Sequence, residues 1–505
     1  FVMMVSMPAI VSAATINAAS CSSADVQAAV NSAVDGDIIS IPTGACTWSN
    51  NVTIPNTKGL TLSGQGPGNT VISGPASPKF ILNVRSGYYA ELNNMEFRGP
   101  GRCIEVAGSG TNVFRITRLK FDNVSFAIHT AGLVYGVVDH CEFIGPSPYP
   151  VVGTGDGNAG VDSWYAQLDL GGPTAVYLED STINIYNPIT GVGMSDSNDG
   201  GRIVIRNNNI TNHWWGMHDA CPNFRMGGRK FEIYNNNWYF TSSIWTSSYH
   251  RGGTGVVFNN TFRSAGVINA GTPLRLNRAF YRGISMSCQF LWETDCDSID
   301  EMMCSDGNGK VWPLPCTTDA DCSRHGGHCD TVVDEPGVGY PCRSQTGTDT
   351  GRVNHPIVGW NNYFCQTGLY CNPTTLAPMR VNDDAYQYVR EERDFIDDTT
   401  CSDGVDNDED GLIDMDDPTC STWWADTQKK DYTPYTYPHP LAGGSIPETI
   451  PGDLNNDRIV DIADLVIVVG DFGKEEGFID EDSDTNADGT VDVADLVFVA
   501  RRYTG

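Results

Sequence analysis

Arg202-Ile-Val-Ile-Arg-Asn-Asn-Asn-Ile-Thr211 is answered 28 residues later by Lys230-Phe-Glu-Ile-Tyr-Asn-Asn-Asn-Trp-Tyr239, and after a further 24 by Thr254-Gly-Val-Val-Phe-Asn-Asn-Thr-Phe-Arg263. Each stretch starts with alternating apolar, β-branched or aromatic residues, which reads as a short strand. A polar corner and a second apolar position follow. Working outward, the pattern apolar, any, Asn/Asp/His, any, any, apolar has seven instances. They are Leu92-Asn94-Phe97, Phe121-Asn123-Phe126, Val138-His140-Phe143, Leu178-Asp180-Ile183, Ile205-Asn207-Ile210, Ile233-Asn235-Trp238 and Val257-Asn259-Phe262. Successive polar residues are 29, 17, 40, 27, 28 and 24 apart. Strand, corner and strand at such a period is what a solenoid coil requires, each coil burying its inward residues against the coils above and below. Asn tolerates a left-handed backbone at the corner, and its side chain is expected to bond the same residue one coil on. The intervals of 17 and 40 fit less well, and their sum of 57 suggests two coils with a displaced loop. An ordinary sandwich of short strands is the alternative, and it leaves the recurring corner unexplained.

The chain of 505 residues is too long for one ordinary core, so a large unit with smaller modules is expected. Its net charge of −31 falls mostly in residues 381–505. That excludes a basic nucleic-acid footprint and points to calcium loops or a solvated acidic tail. Residues 1–14 are apolar and end in Ser12-Ala13-Ala14, which reads as a truncated secretory signal. No stretch is long and apolar enough for a membrane span. Sixteen cysteines agree with export to an oxidising compartment, and a Cys21–Cys46 disulfide is expected across the first helix and strand.

Residues 22–33 predict a capped helix with Ser22 or Ser23 as N-cap and Val26, Ala29 and Val30 on one face, placed to cover the open end of the solenoid. Gly36-Asp-Ile-Ile-Ser-Ile-Pro-Thr-Gly44 and Leu60-Thr-Leu-Ser-Gly-Gln-Gly66 follow as the first coils. With the recurring corners, these segments resemble the right-handed parallel β-helix proteins of the pectate-lyase-like superfamily. The resemblance covers residues 15–290 and implies a mostly β fold. Many members cleave acidic polysaccharides and others are adhesins or structural proteins, so function has to come from the site.

Residues 291–400 interrupt the repeat and read as a disulfide-rich insertion or extension. Cys322, His325, His328 and Cys329 have a spacing that zinc could use, with disulfides as the competing reading. Residues 401–420 hold a loop between Cys401 and Cys420, and residues 421–451, rich in Thr, Tyr and Pro, suit a semi-stiff linker.

Residues 452–505 carry the sharpest chemistry. Oxygen ligands fall at calcium-loop spacing at Asp453, Asn455, Asp457, Asp461 and Asp464, and again at Asp484, Asn486, Asp488, Asp492 and Asp495. Ile459 and Thr490 supply the position-7 carbonyl in each. Position 6 is Gly489 in the second loop and Arg458 in the first. Apolar helical segments follow both. This duplicated unit resembles a type I dockerin, which implies calcium and a cohesin-like or cell-surface protein partner. Ile462-Ala463 and Val493-Ala494 stand where cellulosomal members often carry Ser-Thr. A third loop has the same spacing at Asp406, Asp408, Asp410, Asp414 and Asp417, with the Leu412 carbonyl.

The densest catalytic candidates lie on consecutive coils: His218, Asp219, Arg229, Lys230, His250 and Arg251. Trp214, Trp215, Trp238, Trp245 and Tyr249 are candidate sugar-stacking faces. Cations mixed with aromatics suit an acidic glycan, and β-elimination needs a base and a cation for the uronate carboxylate. Hydrolysis needs two carboxyl groups. Asp196 and Asp199 are a weaker pair that read as turn residues. The expectation is a secreted polysaccharide-active protein, a lyase before a hydrolase, tethered through its C-terminal module. A non-catalytic adhesive or structural rod is the alternative.

Overall fold

The structure is a computed structural model. It describes residues 13–145, 152–155, 163, 166–186, 195–197, 200–217, 228–241, 248–265, 274–277, 301–305, 311–315, 318–322, 328–332, 346–349, 353–365, 375–376, 379–381, 395–397, 432–443, 462–474, 490–493, 496 and 499.

These residues build a parallel β-solenoid of about nine turns. Each central turn contributes three short strands, which stack on their counterparts into three walls. Arg202–Arg206, Lys230–Tyr234 and Thr254–Phe258 belong to the first wall. Asn209–Thr211, Asn237–Phe240 and Thr261–Ser264 belong to the second. Trp215–Met217, Ser248–Arg251 and Leu274–Asn277 belong to the third.

All seven predicted corner residues have positive φ, between 50° and 58°. Six share the corner between the first and second walls. Asn123 does not: it lies one strand later, and the residue in register with Asn94 and His140 is Arg118, at φ 52°. The awkward interval of 17 is therefore an artefact of mixing two corners. The interval of 40 is a single coil that carries an excursion between the strands Val152–Gly155 and Val176–Glu179.

Side-chain bonding between coils falls on the residue after the corner, not on the corner itself. Ser181 N–H donates to Asn208 Oδ1 (2.9 Å), Asn208 N–H to Asn236 Oδ1 (3.0 Å), Asn236 N–H to Asn260 Oδ1 (3.2 Å) and Asn260 N–H to Asn362 Oδ1 (3.2 Å). The corner positions Asn235 and Asn259 are exposed, whereas Asn208, Asn236, Asn260 and Asn362 are buried. A ladder of this kind satisfies amides that a bend would otherwise strand inside the wall.

Asn362 also corrects the boundary expected at residue 290. Ile357–Trp360 pairs with Thr254–Phe258, Tyr363–Cys365 with Thr261–Ser264, and Met379–Val381 with Leu274–Asn277. The coils thus resume after the cysteine-rich stretch, which is an insertion within the solenoid. In that stretch Glu301–Ser305, Val311–Pro315 and His328–Val332 form a small antiparallel sheet. Cys329 there is disulfide-bonded, which removes a thiolate from the zinc reading.

The interior is apolar and stacked coil on coil. Phe97, Phe121 and Phe143 stack at centroid distances of 5.4 and 4.8 Å, and Trp238 stacks on Phe262 at 5.0 Å. Helix α1, Ser23–Ser32, caps the end as expected, with Ser22 Oγ accepting from Asp25 N–H (3.2 Å) and Val26, Ala29 and Val30 buried. The Cys21–Cys46 disulfide is present, while Cys103 and Cys141 are buried free thiols. Among the described residues no helix is long and apolar enough to cross a membrane.

Candidate functional site

Two outer faces carry the polar chemistry. On the first wall, register aligns Thr117, Asp139, Glu179, Arg206, Tyr234, Phe258 and Trp360 in one column. Arg115 binds Asp139 through two bonds of 2.8 Å, and Arg206 donates to Glu179 at 2.7 Å. Tyr234, Phe258 and Trp360 stack at 4.7 and 4.3 Å. The carboxyls respond differently to enclosure. Burial pushes Glu179 above its ordinary range despite Arg206, whereas at Asp139 the bonds and charge of Arg115 outweigh burial and hold it below.

The cover over this column is residues 432–443, which fall within the stretch expected as a linker. Arg206 donates to the carbonyls of Tyr435 (2.7 Å) and Thr436 (2.9 Å), and Arg115 to that of Ala442 (3.0 Å). Tyr432 and Tyr437 donate to Glu232 (2.5 Å) and Asp180 (2.7 Å), and His439 N–H to Glu179 (2.8 Å). This strap runs against the order of the coils, from Trp360 back to Arg115. Six inter-strand steps of about 4.8 Å make roughly 29 Å, close to the reach of ten extended residues. It lies lengthwise, across the strands.

Beside the strap, residues 166–174 fold back over the same wall and account for two catalytic candidates. Lys230 is buried, paired with Glu232 at 3.0 Å and donating to the carbonyls of Asp169 and Gly172. Arg229 is buried and reaches the Ala166 carbonyl (3.5 Å). Glu232 also accepts from Gly171 N–H (2.8 Å). Both cations hold an excursion of the chain, and neither reaches an open groove.

Inner positions hold three more candidates, His250 and Trp215 on the third wall and Trp238 on the second. His250 is buried against Phe231 and Trp215, at 4.2 and 5.0 Å, and burial pushes its pKa down to about 3. Trp215 and Trp238 are buried as well, so neither offers a face to a sugar. These are corrections to the sequence expectation: one residue along a strand reverses the face, and that choice decides between core and solvent.

One further register column runs along the third wall. Register places Glu105, His129, Gly153, Asp196, Gly216, Tyr249, Arg275 and Arg380 side by side on successive coils. Trp214, half-buried, lies over the glycine in this column: a Cβ at Gly216 would sit 2.9 Å from Trp214 Cζ3. At the other end Arg102 pairs with Glu105 (2.8 Å) and lies over the Phe126 ring. Of the sequence candidates, Tyr249 stands in this register line with Trp214 beside it, and no corner motif marks Arg275 and Arg380. His218, Asp219, Trp245 and Asp199 lie outside the described residues.

Most of the calcium-loop residues also lie outside them: Asp406, Asp408, Asp410, Leu412, Asp414, Asp417, Asp453, Asn455, Asp457, Ile459, Asp461, Asp484, Asn486, Asp488 and Asp495. Helix α2, Ile462–Asp471, has Asp464 in its first turn. Val491 N–H bonds the Lys474 carbonyl (3.0 Å), and Gly473 N–H bonds that of Val491 (2.7 Å), joining the second loop region to the end of α2. Val469, Phe472 and Val493 are exposed.

No family model matches the sequence, and no curated protein matches it. Among solved structures, a chain described as Geobacillus virus E2 - ORF18 is similar at 13% identity and a TM-score of 0.22, over 52% of this chain and 59% of that one.

Proposed function

We propose that the protein is an extracellular carbohydrate-active protein that takes an acidic polysaccharide lengthwise along the outer column of the third wall. The observation that carries this is the register itself. Asp196, Tyr249, Arg275 and Arg380 share one line with a glycine trough at Gly216, flanked by Trp214. The inter-strand step of about 4.8 Å is comparable to the advance per sugar of an extended glycan. Arginines supply planar carboxylate recognition and an aromatic ring supplies a stacking face. β-Elimination suits these residue types better than hydrolysis, because the two carboxyl residues of the column, Glu105 and Asp196, stand three inter-strand steps or about 14 Å apart, beyond the separation of roughly 5–9.5 Å that hydrolysis uses.

The C-terminal module reads as a dockerin-like tether. Its donor sets are all hard oxygen, and the position of Asp464 at the start of α2 fits them. Asp453, Asn455, Asp457, Asp461, Asp464 and the Ile459 carbonyl would hold one Ca2+. Asp484, Asn486, Asp488, Asp492, Asp495 and the Thr490 carbonyl would hold another, and the loop from Asp406 to Asp417 a third. The ion would supply the rigidity that presents Val469, Phe472 and Val493 to a cohesin-like or surface partner.

A second reading, a non-catalytic adhesive or structural rod, is supported by the enclosure of Arg229, Lys230 and His250. The test is incubation with uronate-containing and neutral polysaccharides, with and without calcium. The ultraviolet absorbance of unsaturated uronates, reducing ends and retention on immobilised polysaccharide are all followed. Absorbance and reducing ends rising together is the expected result. Retention without products leaves a binding protein, and silence in all three assays leaves the rod.

A further inference from the structure

The covered face of the first wall is built unlike a permanent seam. Beneath the strap and the 166–174 excursion beside it lie the buried pairs Arg115–Asp139, Arg206–Glu179 and Lys230–Glu232. Buried ion pairs contribute less to stability than apolar packing of the same volume. They do keep a surface wettable if its cover leaves. The arginines read the strap through its backbone carbonyls, and Tyr177, Tyr234, Phe258 and Trp360 receive its side chains. That is recognition of an extended, aromatic-rich peptide running across the strands.

His439 is the element of the strap most sensitive to acid. It is buried between the rings of Tyr177 and Tyr435, at 4.8 and 5.4 Å. Its Nδ1 accepts from Leu441 N–H (3.2 Å), so the neutral ring carries its proton on Nε2, which is buried without a hydrogen-bond partner. A second proton would have to enter at Nδ1, breaking that bond. The groups around it are Arg206, Arg115, Glu179, Asp139 and Tyr177 from the wall and Tyr435 from the strap. The two guanidiniums oppose a cation there, while Glu179 and Asp139 are already committed to them.

We propose that the outer face of the first wall is a peptide-binding groove, that the strap is its resident ligand, and that acid opens it by protonating His439. The sign follows from burial, which holds the docked imidazole down to about 3 against an ordinary 6.5. Docking is complete above the ordinary value and weakens about tenfold per pH unit below it, roughly thirtyfold near pH 5. Glu179, raised by burial, has the opposite sign: acid favours its enclosed form and offsets part of this release at lower pH.

The test uses the full chain. Amide hydrogen exchange in residues 432–443, corrected for intrinsic rates, should lose roughly thirtyfold protection between neutral pH and about pH 5. His439→Asn, whose Oδ1 can still accept from Leu441, should lose at most a few-fold. A labelled peptide of residues 430–444 carrying His439→Asn should bind the unmodified chain about thirtyfold more tightly near pH 5 than at neutrality, since only then does the resident strap yield. Equal strap protection at both pH values overturns the acid release. A freed strap with no peptide binding overturns the groove. If circular dichroism shows His439→Asn unfolded, the peptide arm on the unmodified chain still decides.

Discussion

Substituting Asn236 by Ala strikes the ladder that joins the coils. Its Nδ2 donates to the carbonyls of Ile205 (2.8 Å) and Tyr234 (3.0 Å) and to Asn260 Oδ1 (3.0 Å), and its Oδ1 accepts both the backbone N–H and the side-chain amide of Asn208 (3.0 and 3.1 Å). The Asn208 backbone amide is then left inside the wall without its acceptor, at about 1–3 kcal/mol, and the four other lost bonds contribute about 1 kcal/mol each, so roughly 5–7 kcal/mol in all. The adjacent Asn235 is an internal control. It is exposed and left-handed at φ 58°, so Asn235→Ala should cost only the backbone strain of about 1–2 kcal/mol, and Asn235→Gly close to nothing. Denaturant midpoints give the ordering, and hydrogen exchange in residues 202–211 and 230–240 shows whether the loss starts at the ladder. An Asn236→Ala protein no less stable than Asn235→Ala would refute the assignment of intercoil bonding to the residue after the corner.

Lys230→Met should destabilise by about 3–5 kcal/mol, since the buried Glu232 loses its cationic partner, and should raise exchange in residues 166–174. A loss of polysaccharide cleavage with unchanged exchange would return Lys230 to catalysis. Arg275→Ala and Tyr249→Ala should each weaken retention on acidic polysaccharide about tenfold without changing the thermal midpoint, and unchanged retention in both would empty the column of its proposed role. Calorimetric titration of the chelator-treated chain should show three calcium sites and a gain of helix by circular dichroism. Absence of both signals would remove the dockerin-like reading.

Much of the architecture was legible because the corner is a backbone requirement. Asn94, His140, Asp180, Asn207, Asn235 and Asn259 are polar where φ is positive, and few residues accept that conformation. Arg118 escaped because it bears the same strain without belonging to the tolerant residue types, so the pattern slid to Asn123. Gly359-Trp-Asn-Asn-Tyr-Phe364 escaped because glycine stands at the first apolar position, and the insertion before it hid the period. The site was less legible. Alternation tells which residues share a face, as with Tyr249 and Arg251 against His250, but not which face is covered. Burial of Lys230 is imposed by residues 166–174, far away in sequence, and burial of Arg206 and Glu179 by a strap more than two hundred residues on. The alternating aromatics Tyr435, Tyr437 and His439 were the available signal, and proline-rich composition masked it.

The strap also fixes how the molecule carries a load. A pull on the chain beyond Gly443, directed outward from the wall, meets the Arg115 bond to Ala442 first, then Glu179 with His439, then Arg206. Those contacts break in succession, and the segment unzips at low force. The same pull directed along the solenoid toward its first coils loads the guanidinium, tyrosine and histidine contacts together, in shear. The chain beyond Gly443 is therefore held with a strength that depends on direction, firm along the solenoid axis and weak across it.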